Sequence, residues 1–453
     1  MTLERGMTRR SFLIGGTAAV TVITQLDGHC GEDASPGKKD PGLGGLKGKK
    51  APTATPGHSE VFIAKGGTPE ENMRKMISAM GGIRTLVAQD DIVIIKPNGQ
   101  WWNQGMTNTD SIGTFIEEVL RSGNFIGDIL VCENHHFLPD DSRGWTTDRP
   151  NGRWNLNQLV SHFRSRGYLR VAKVHWRDAG PNPRPQQGNA GGGVRVRDGA
   201  RQGNGYVWDE SLHYVSPQGR KCMMTYPVFD SPCSNARIDL KSGAFDRVTG
   251  KPLRIRFINF SGINHHGSYS GVTASIKNLM GVVDMTCGYP GIEPKGYWCT
   301  HYIGAESSLY KVAERSREVL YRVGVSAPSV HRPITTLGRF DFRYTGGALG
   351  YWIGQVRRPD MNFIAAEWVG WGGRTDSSKS ARPKALLASM DPVALDYIAA
   401  RDILLESTQQ QTKDSYFIRL NNPDLEPFRG FLEECRKECG GNIRQEHIDI
   451  RQI

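Results

Sequence analysis

The chain has 453 residues, with hydrophobic residues at 38% and charged residues at 23%, enough apolar matter for a real core; its 54 glycines and 24 prolines follow no collagen-like period. Fibrous and wholly disordered classes are thereby excluded, and at roughly 100–200 residues per domain the length suits two or three domains or one elaborated α/β unit. Lys and Arg total 57 against 46 Asp and Glu, a formal +11; the basic residues are scattered and form no nucleic-acid-type run, so no nucleic-acid partner is expected.

Part of the surplus sits at the N-terminus. Thr8-Arg9-Arg10-Ser11-Phe12-Leu13 opens a mild apolar run to Ile23 that Gly15, Gly16 and Thr17 interrupt. That run is too short and too weakly apolar for a stable transmembrane anchor, which needs about 20 residues, and reads instead as a removable export signal over residues 1–30. The arginine pair followed by Phe-Leu resembles the twin-arginine signal, which implies the twin-arginine translocation machinery as a partner and a periplasmic or cell-envelope location. Residues 31–58 are Gly, Pro, Lys, Thr and Ser with almost no apolar side chains, the composition of a disordered linker. Seven cysteines follow the signal, an odd number that leaves one unpaired within a monomer; Cys222 with Cys233 and Cys287 with Cys299 are the plausible local pairs. Cys435 and Cys439, one helical turn apart, suit packing or a metal.

Strands and helices alternate from there. A strand at Glu60 to Ala64 precedes a helix that Thr68 caps, with Pro69 in its first turn and Glu71 closing a capping box; it ends at Gly81-Gly82. Asp91 to Lys96 and Asp128 to Glu133 are continuous apolar runs, as expected of strands covered on both faces. Between them lies a helix capped by Asp110. Asn155 to Arg166 reads as a helix and Val171 to His175 as a strand, and Asp178 to Gly205 is an irregular excursion. Regular structure resumes at Lys221 to Phe229 and Leu253 to Phe260, then a helix from about Thr273 to Met280 and a long one around Glu306 to Val323. The last third predicts strands near Thr335 to Phe342, Asn362 to Trp368 and Ala385 to Ser389, a helix from Pro392 to Leu405 capped by Asp391, and a terminal helix near Pro427 to Glu438. The fold class is α/β, a mostly parallel twisted sheet flanked by helices with irregular insertions: an α/β domain over 59–410 and a C-terminal helical extension over 411–453.

Ligands of such sheets lie beyond the carboxyl ends of the strands. Three of those loops are unusually polar. Lys96-Pro97-Asn98 runs on to Thr109 at a helix N-terminus and suits a phosphate or carboxylate. Glu133-Asn134-His135-His136 and Asn264-His265-His266 each follow a strand and bring imidazoles that hold Zn or Fe, with Glu133, Asp284 and Asp391 as candidate carboxylates. Trp101 and Trp102 could stack on a ring or cover the core. No Gly-x-Gly-x-x-Gly, Walker A, His-Glu-x-x-His or Cys-x-x-Cys string occurs, so dinucleotide, P-loop, zincin and redox-dithiol readings lack support.

Four strings, Asp91 to Asn98, Val131 to Glu133, Gly271 to Gly281 (GVTASIKNLMG) and Met390 to Asp396 (MDPVALD), resemble a bacterial and archaeal family catalogued as "domain of unknown function 362", in the right order over about Glu60 to Asp402. The resemblance implies the fold and the location of the site, and no established reaction. Where that family commonly has Lys-Thr-His before its loop, this chain has Ile263-Asn264-His265, without the lysine; the ferredoxin-type cysteine clusters of some relatives are lacking.

The expectation is an exported, metal-dependent enzyme, a hydrolase or isomerase, acting on a small anionic substrate. His265, Glu133 and Lys277 would be catalytic; Lys96, Asn98, Thr109, Thr273 and Asn278 would bind the ligand; His135, His136, His265, His266 and Asp391 would hold the divalent metal, Zn or Fe. The alternative is a periplasmic anion- or metal-binding protein without turnover, and a third, weaker reading is a redox partner.

Overall fold

Eight strands, most of them buried along their whole length, build the centre of the molecule. They are β1 (Ser59–Lys65), β2 (Ile92–Pro97), β3 (Asp128–Glu133), β4 (Val171–His175), β5 (Ile255–Ser261), β6 (Met361–Ala366), β7 (Ala385–Ser389) and β8 (Ile448–Gln452). The computed structural model describes residues 57–453 apart from 101–102, 135–149, 177–193, 197–204, 286, 289–294, 306–308, 326 and 339–340. The expected signal, and the expected linker up to residue 56, therefore lie outside the described residues. The described residues belong to one compact unit.

The strand order is β8-β1-β7-β6-β5-β2-β3-β4. Every neighbouring pair is parallel except those made by β7, which runs against β1 and β6. Because successive side chains point to opposite faces, Val93, Ile95, Ile129 and Val131 pack on one side against α1 (Pro69–Ala79), α2 (Thr109–Arg121) and α3 (Leu156–Ser165). Ile92, Ile94, Leu130 and Cys132 pack on the other against α4 (Arg343–Gln355), α5 (Pro392–Ala399) and α6 (Phe428–Cys439). Two-sided burial explains why β2 and β3 carry unbroken apolar runs.

The architecture is α/β, but the sheets are mixed. A second sheet, built from strands between Val194 and Leu253, is largely antiparallel, so one mostly parallel sheet does not describe the chain. A four-stranded sheet of short pieces, Asn264–His266, Gly271–Thr273, Val369–Gly370 and Ser380–Ala381, sits beyond β5. The strand expected near Thr335 to Phe342 is instead the helix Pro328–Gly338. The β-branched Ile334, Thr335 and Thr336 favour a strand locally, but packing against the helix Tyr310–Arg322 prevails, with the His331 ring stacked 4.3 Å from that of Tyr321. Asn108, not Asp110, caps α2. Past residue 411 the chain holds helices and also β8, which extends the sheet beside β1. Among the described residues the cysteines form no disulfide; Cys435 and Cys439 are buried with sulfurs 3.8 Å apart, as packing requires.

Candidate functional site

The loops after β2, β3 and β5 converge at the carboxyl edge of the sheet around a polar cavity of about 30 Å³, room for about two waters or the head of a small anion. Lys96, the fifth residue of β2, is completely buried, so its ammonium needs internal partners. It donates to Glu133 Oε2 at 2.8 Å, to the Pro97 carbonyl at 2.7 Å and to Asn278 Oδ1 at 3.2 Å. Glu133 also accepts the backbone N–H groups of Gly99 and Asn134, both at 3.0 Å. Burial pushes the Lys96 amine down and the Glu133 carboxyl up, and each is drawn back by the other's charge. The two groups titrate as a unit.

Asn278 ties this pair to the sheet. Its Nδ2 donates to the Lys96 carbonyl at 3.1 Å and to Asn259 Oδ1 at 2.8 Å. Asn259 in turn donates to Asn362 Oδ1 at 2.9 Å, and Asn362 to the Ser389 carbonyl at 3.2 Å. Buried side-chain amides thus form a chain across β5, β6 and β7. Gly281 completes the wall for a steric reason: a Cβ there would lie 2.0 Å from Glu133 Oε1 and 2.7 Å from Lys96 Nζ.

The facing wall is cationic. Lys277 lines the cavity from the turn Ser275–Asn278. Its amine lies 3.5 Å from Met280 Sδ and 4.9 Å from the Tyr269 ring centre, and its pKa falls well below the ordinary lysine value, through burial first and the Arg374 charge second. Asp396 on α5 holds that turn by accepting the N–H groups of Ser275 at 2.8 Å and Ile276 at 3.0 Å and the Ser275 hydroxyl at 2.5 Å. Arg374 reaches the cavity from the loop after Val369–Gly370 and donates to His266 Nδ1 at 3.2 Å, where the Thr273 hydroxyl also lies at 2.6 Å. Nδ1 therefore accepts, and the ring proton sits on Nε2. Burial, followed by Lys277 and Arg374, lowers the His266 pKa well below its ordinary value and keeps the imidazole neutral.

Of the expected site residues, Lys96, Asn98, Glu133, His266, Thr273, Lys277 and Asn278 meet at this cavity. His265 does not. Adjacent strand residues face opposite ways, and His265 turns toward Asn421 Oδ1, 2.8 Å from Nδ1, between Tyr416 and Phe417, with its pKa lowered to about 4 chiefly by burial. Thr109 is spent on the Asn151 and Trp154 carbonyls at 2.9 and 2.7 Å. Asp391 caps α5 through the N–H groups of Val393 and Ala394 and accepts from Ser59 Oγ at 2.5 Å and Asn442 N at 2.9 Å. Since β7 runs against its neighbours, the loop after it emerges at the opposite edge of the sheet and lines a separate groove with His58 and Met361. Asp284 accepts from Trp208 Nε1 at 3.0 Å. His135, His136, Trp101 and Trp102 lie outside the described residues. Among the described residues no three His, Cys, Asp or Glu side chains gather as a metal site, so His265, His266 and Asp391 share no donor set. Arg374 and Asp396 were missed by sequence reasoning. The Gly372-Gly373-Arg374 loop and the second aspartate of Met390 to Asp396 were their available signals.

Fold and site together define a doubly covered α/β protein with a cationic pocket at the carboxyl edge of its main sheet. Residues 256–401 match the family model described as Domain of unknown function (DUF362), a stretch that includes β5 to β7 and the whole cationic wall but not Lys96 or Glu133. No curated protein matches the chain, and no solved structure does.

Proposed function

We propose that the protein binds a small anionic molecule, a carboxylate or phosphate, in this cavity and carries out proton-transfer chemistry on it. The observation that supports the reading is the convergence of Lys277 and Arg374 on one cavity, with no carboxylate against the Lys277 amine among the described residues. Two neighbouring cations raise each other's cost of burial, and a bound anion removes that cost. Neutral His266 and the Lys96–Glu133 pair, at the same cavity, supply groups that can take and return a proton. The twin-arginine-like start adds export to the periplasm or cell envelope to the proposal; its support is the sequence from Thr8 to Leu13.

Calorimetric titration of the full chain with inorganic phosphate, sulfate and oxalate tests the reading. At least one anion is expected to bind, with affinity falling about tenfold or more in Lys277→Gln and in Arg374→Gln, the loss expected for a hydrogen bond to a charged group. Binding to the ammonium form of Lys277 also has a sign: affinity rises as pH falls. Saturation by none of the three anions, or unchanged affinity in both variants, would refute the pocket.

A further inference from the structure

We infer that Lys277 is a covalent nucleophile whose amine forms an imine with a small 2-oxo acid, the carboxylate of which Arg374 holds. This inference rests on the anion pocket just proposed and adds to it the substrate class and the bond that forms.

Two lysines face the cavity, and their surroundings differ. Lys96 donates to three oxygens, one of them a carboxylate, which commits its lone pair to N–H bonds and makes it a positioning group. Lys277 is as deeply buried, yet its amine meets only a thioether and a ring face among its described contacts. A desolvated amine beside a second cation is the environment in which lysine becomes a neutral nucleophile. Burial and the Arg374 charge act on this amine in that direction. Asp396 locks the turn that carries it, so the amine is presented from a fixed backbone. The guanidinium of Arg374 matches a carboxylate bidentately, and the small cavity suits a ligand of few atoms.

The chemistry balances without a redox partner. The Lys277 lone pair attacks the carbonyl carbon, forming the C–N bond, while the carbonyl π electrons move to oxygen, which takes up a proton. The nitrogen gives up its two protons, one to balance that uptake and one to the hydroxyl, which leaves as water as C=N forms, so amine plus ketone or aldehyde gives imine plus one water. His266, a neutral imidazole that lines the same cavity, can relay these protons.

The test is reductive trapping on the full-length protein. Glyoxylate and pyruvate are each added with sodium cyanoborohydride, and the modified peptide is located by mass spectrometry, with oxalate as an anion that lacks a reactive carbonyl. The expected result is one adduct on Lys277, suppressed by oxalate in the unaltered protein, and about tenfold slower in Arg374→Gln. Suppression by oxalate needs no variant, so it reads the site even if Lys277→Gln fails to fold. Lys173 is the internal control. Its amine is pushed down to about 7 by burial, yet its described partner is Asn157 and it does not line the cavity. An adduct on Lys173 or spread over surface lysines would overturn the inference. Oxalate binding without any adduct would also overturn it while leaving the anion pocket standing. Neither binding nor an adduct would remove both.

Discussion

The two walls of the cavity handle buried charge in opposite ways. On the wall formed by β2 and β3, Lys96 and Glu133 neutralise each other at 2.8 Å, and every further contact to them comes from a backbone group or an asparagine. On the wall formed by His266, Lys277 and Arg374, a guanidinium, a buried amine and a neutral imidazole stand together, and among the described residues no carboxylate meets the Lys277 amine. A compensated buried charge supports the fold, while an uncompensated one is destabilising until a ligand arrives. The first wall compensates its charge within the fold, and the second leaves a buried amine for the proposed anion to meet.

Five substitutions or pairs can break that contrast. The largest expected effect is on the compensated wall. Glu133→Ala strands the Lys96 ammonium and Lys96→Met strands the Glu133 carboxylate, each costing about 3–5 kcal/mol in denaturant unfolding. Lys277→Met, by contrast, is expected to leave stability unchanged or raised while abolishing anion binding; a loss as large as that of Lys96→Met would erase the distinction. Next, Gly281→Ala forces a methyl group into the Lys96–Glu133 pair and is expected to cost about 1–3 kcal/mol by the same measurement.

A smaller effect concerns the opposite edge. Asp391→Ala removes the cap of α5 and is expected to cost about 1 kcal/mol, with anion affinity unchanged. A drop in affinity comparable to that of Arg374→Gln would return Asp391 to the site. The last effect is a slope. Burial raises the Asp396 carboxyl to about 7 against the hydrogen bonds from Ser275 and Ile276. A folded pKa above the unfolded one means the folded state holds its proton more tightly. The contribution of Asp396 is therefore full below about pH 4 and is lost as pH rises toward 7. His265, lowered to about 4, has the opposite sign, and its contribution is lost as pH falls from about 6.5 toward 4. Thermal unfolding between pH 4 and 8 is expected to keep only the acid loss in Asp396→Asn and only the loss toward neutral pH in His265→Gln. Parallel curves for both variants would contradict these assignments.

Much of the cavity was legible because it sits where elementary rules put it. Lys96 and Glu133 end apolar runs of strand length, and Lys277 and Asn278 lie within the stretch that matches the family model. The misplacements have physical causes. The run from Ala385 to Ser389 reads as a strand but carries no mark of direction, so the reversal of β7 and the exile of Asp391 were invisible. His265 and His266 are equivalent by composition, and the two-residue strand period separates them only once it is known that Asn264–His266 is a strand. Thr109 begins a helix as expected, but Asn151 and Trp154, more than forty positions away, consume its hydroxyl.

By itself the sequence determined most strands of the main sheet and the amphipathic helices against them, since periodicity and capping are local. It also determined that polar residues crowd the strand ends, since burying them elsewhere would be costly. The tertiary structure alone decided which of those residues share a cavity. Strand direction, the small sheet that carries His266, and the Asp396 contact that orients Lys277 all join positions distant along the chain. The feature that distinguishes the site, a buried amine beside a guanidinium with no carboxylate against it among the described residues, depends on those long-range contacts, and local periodicity does not specify them.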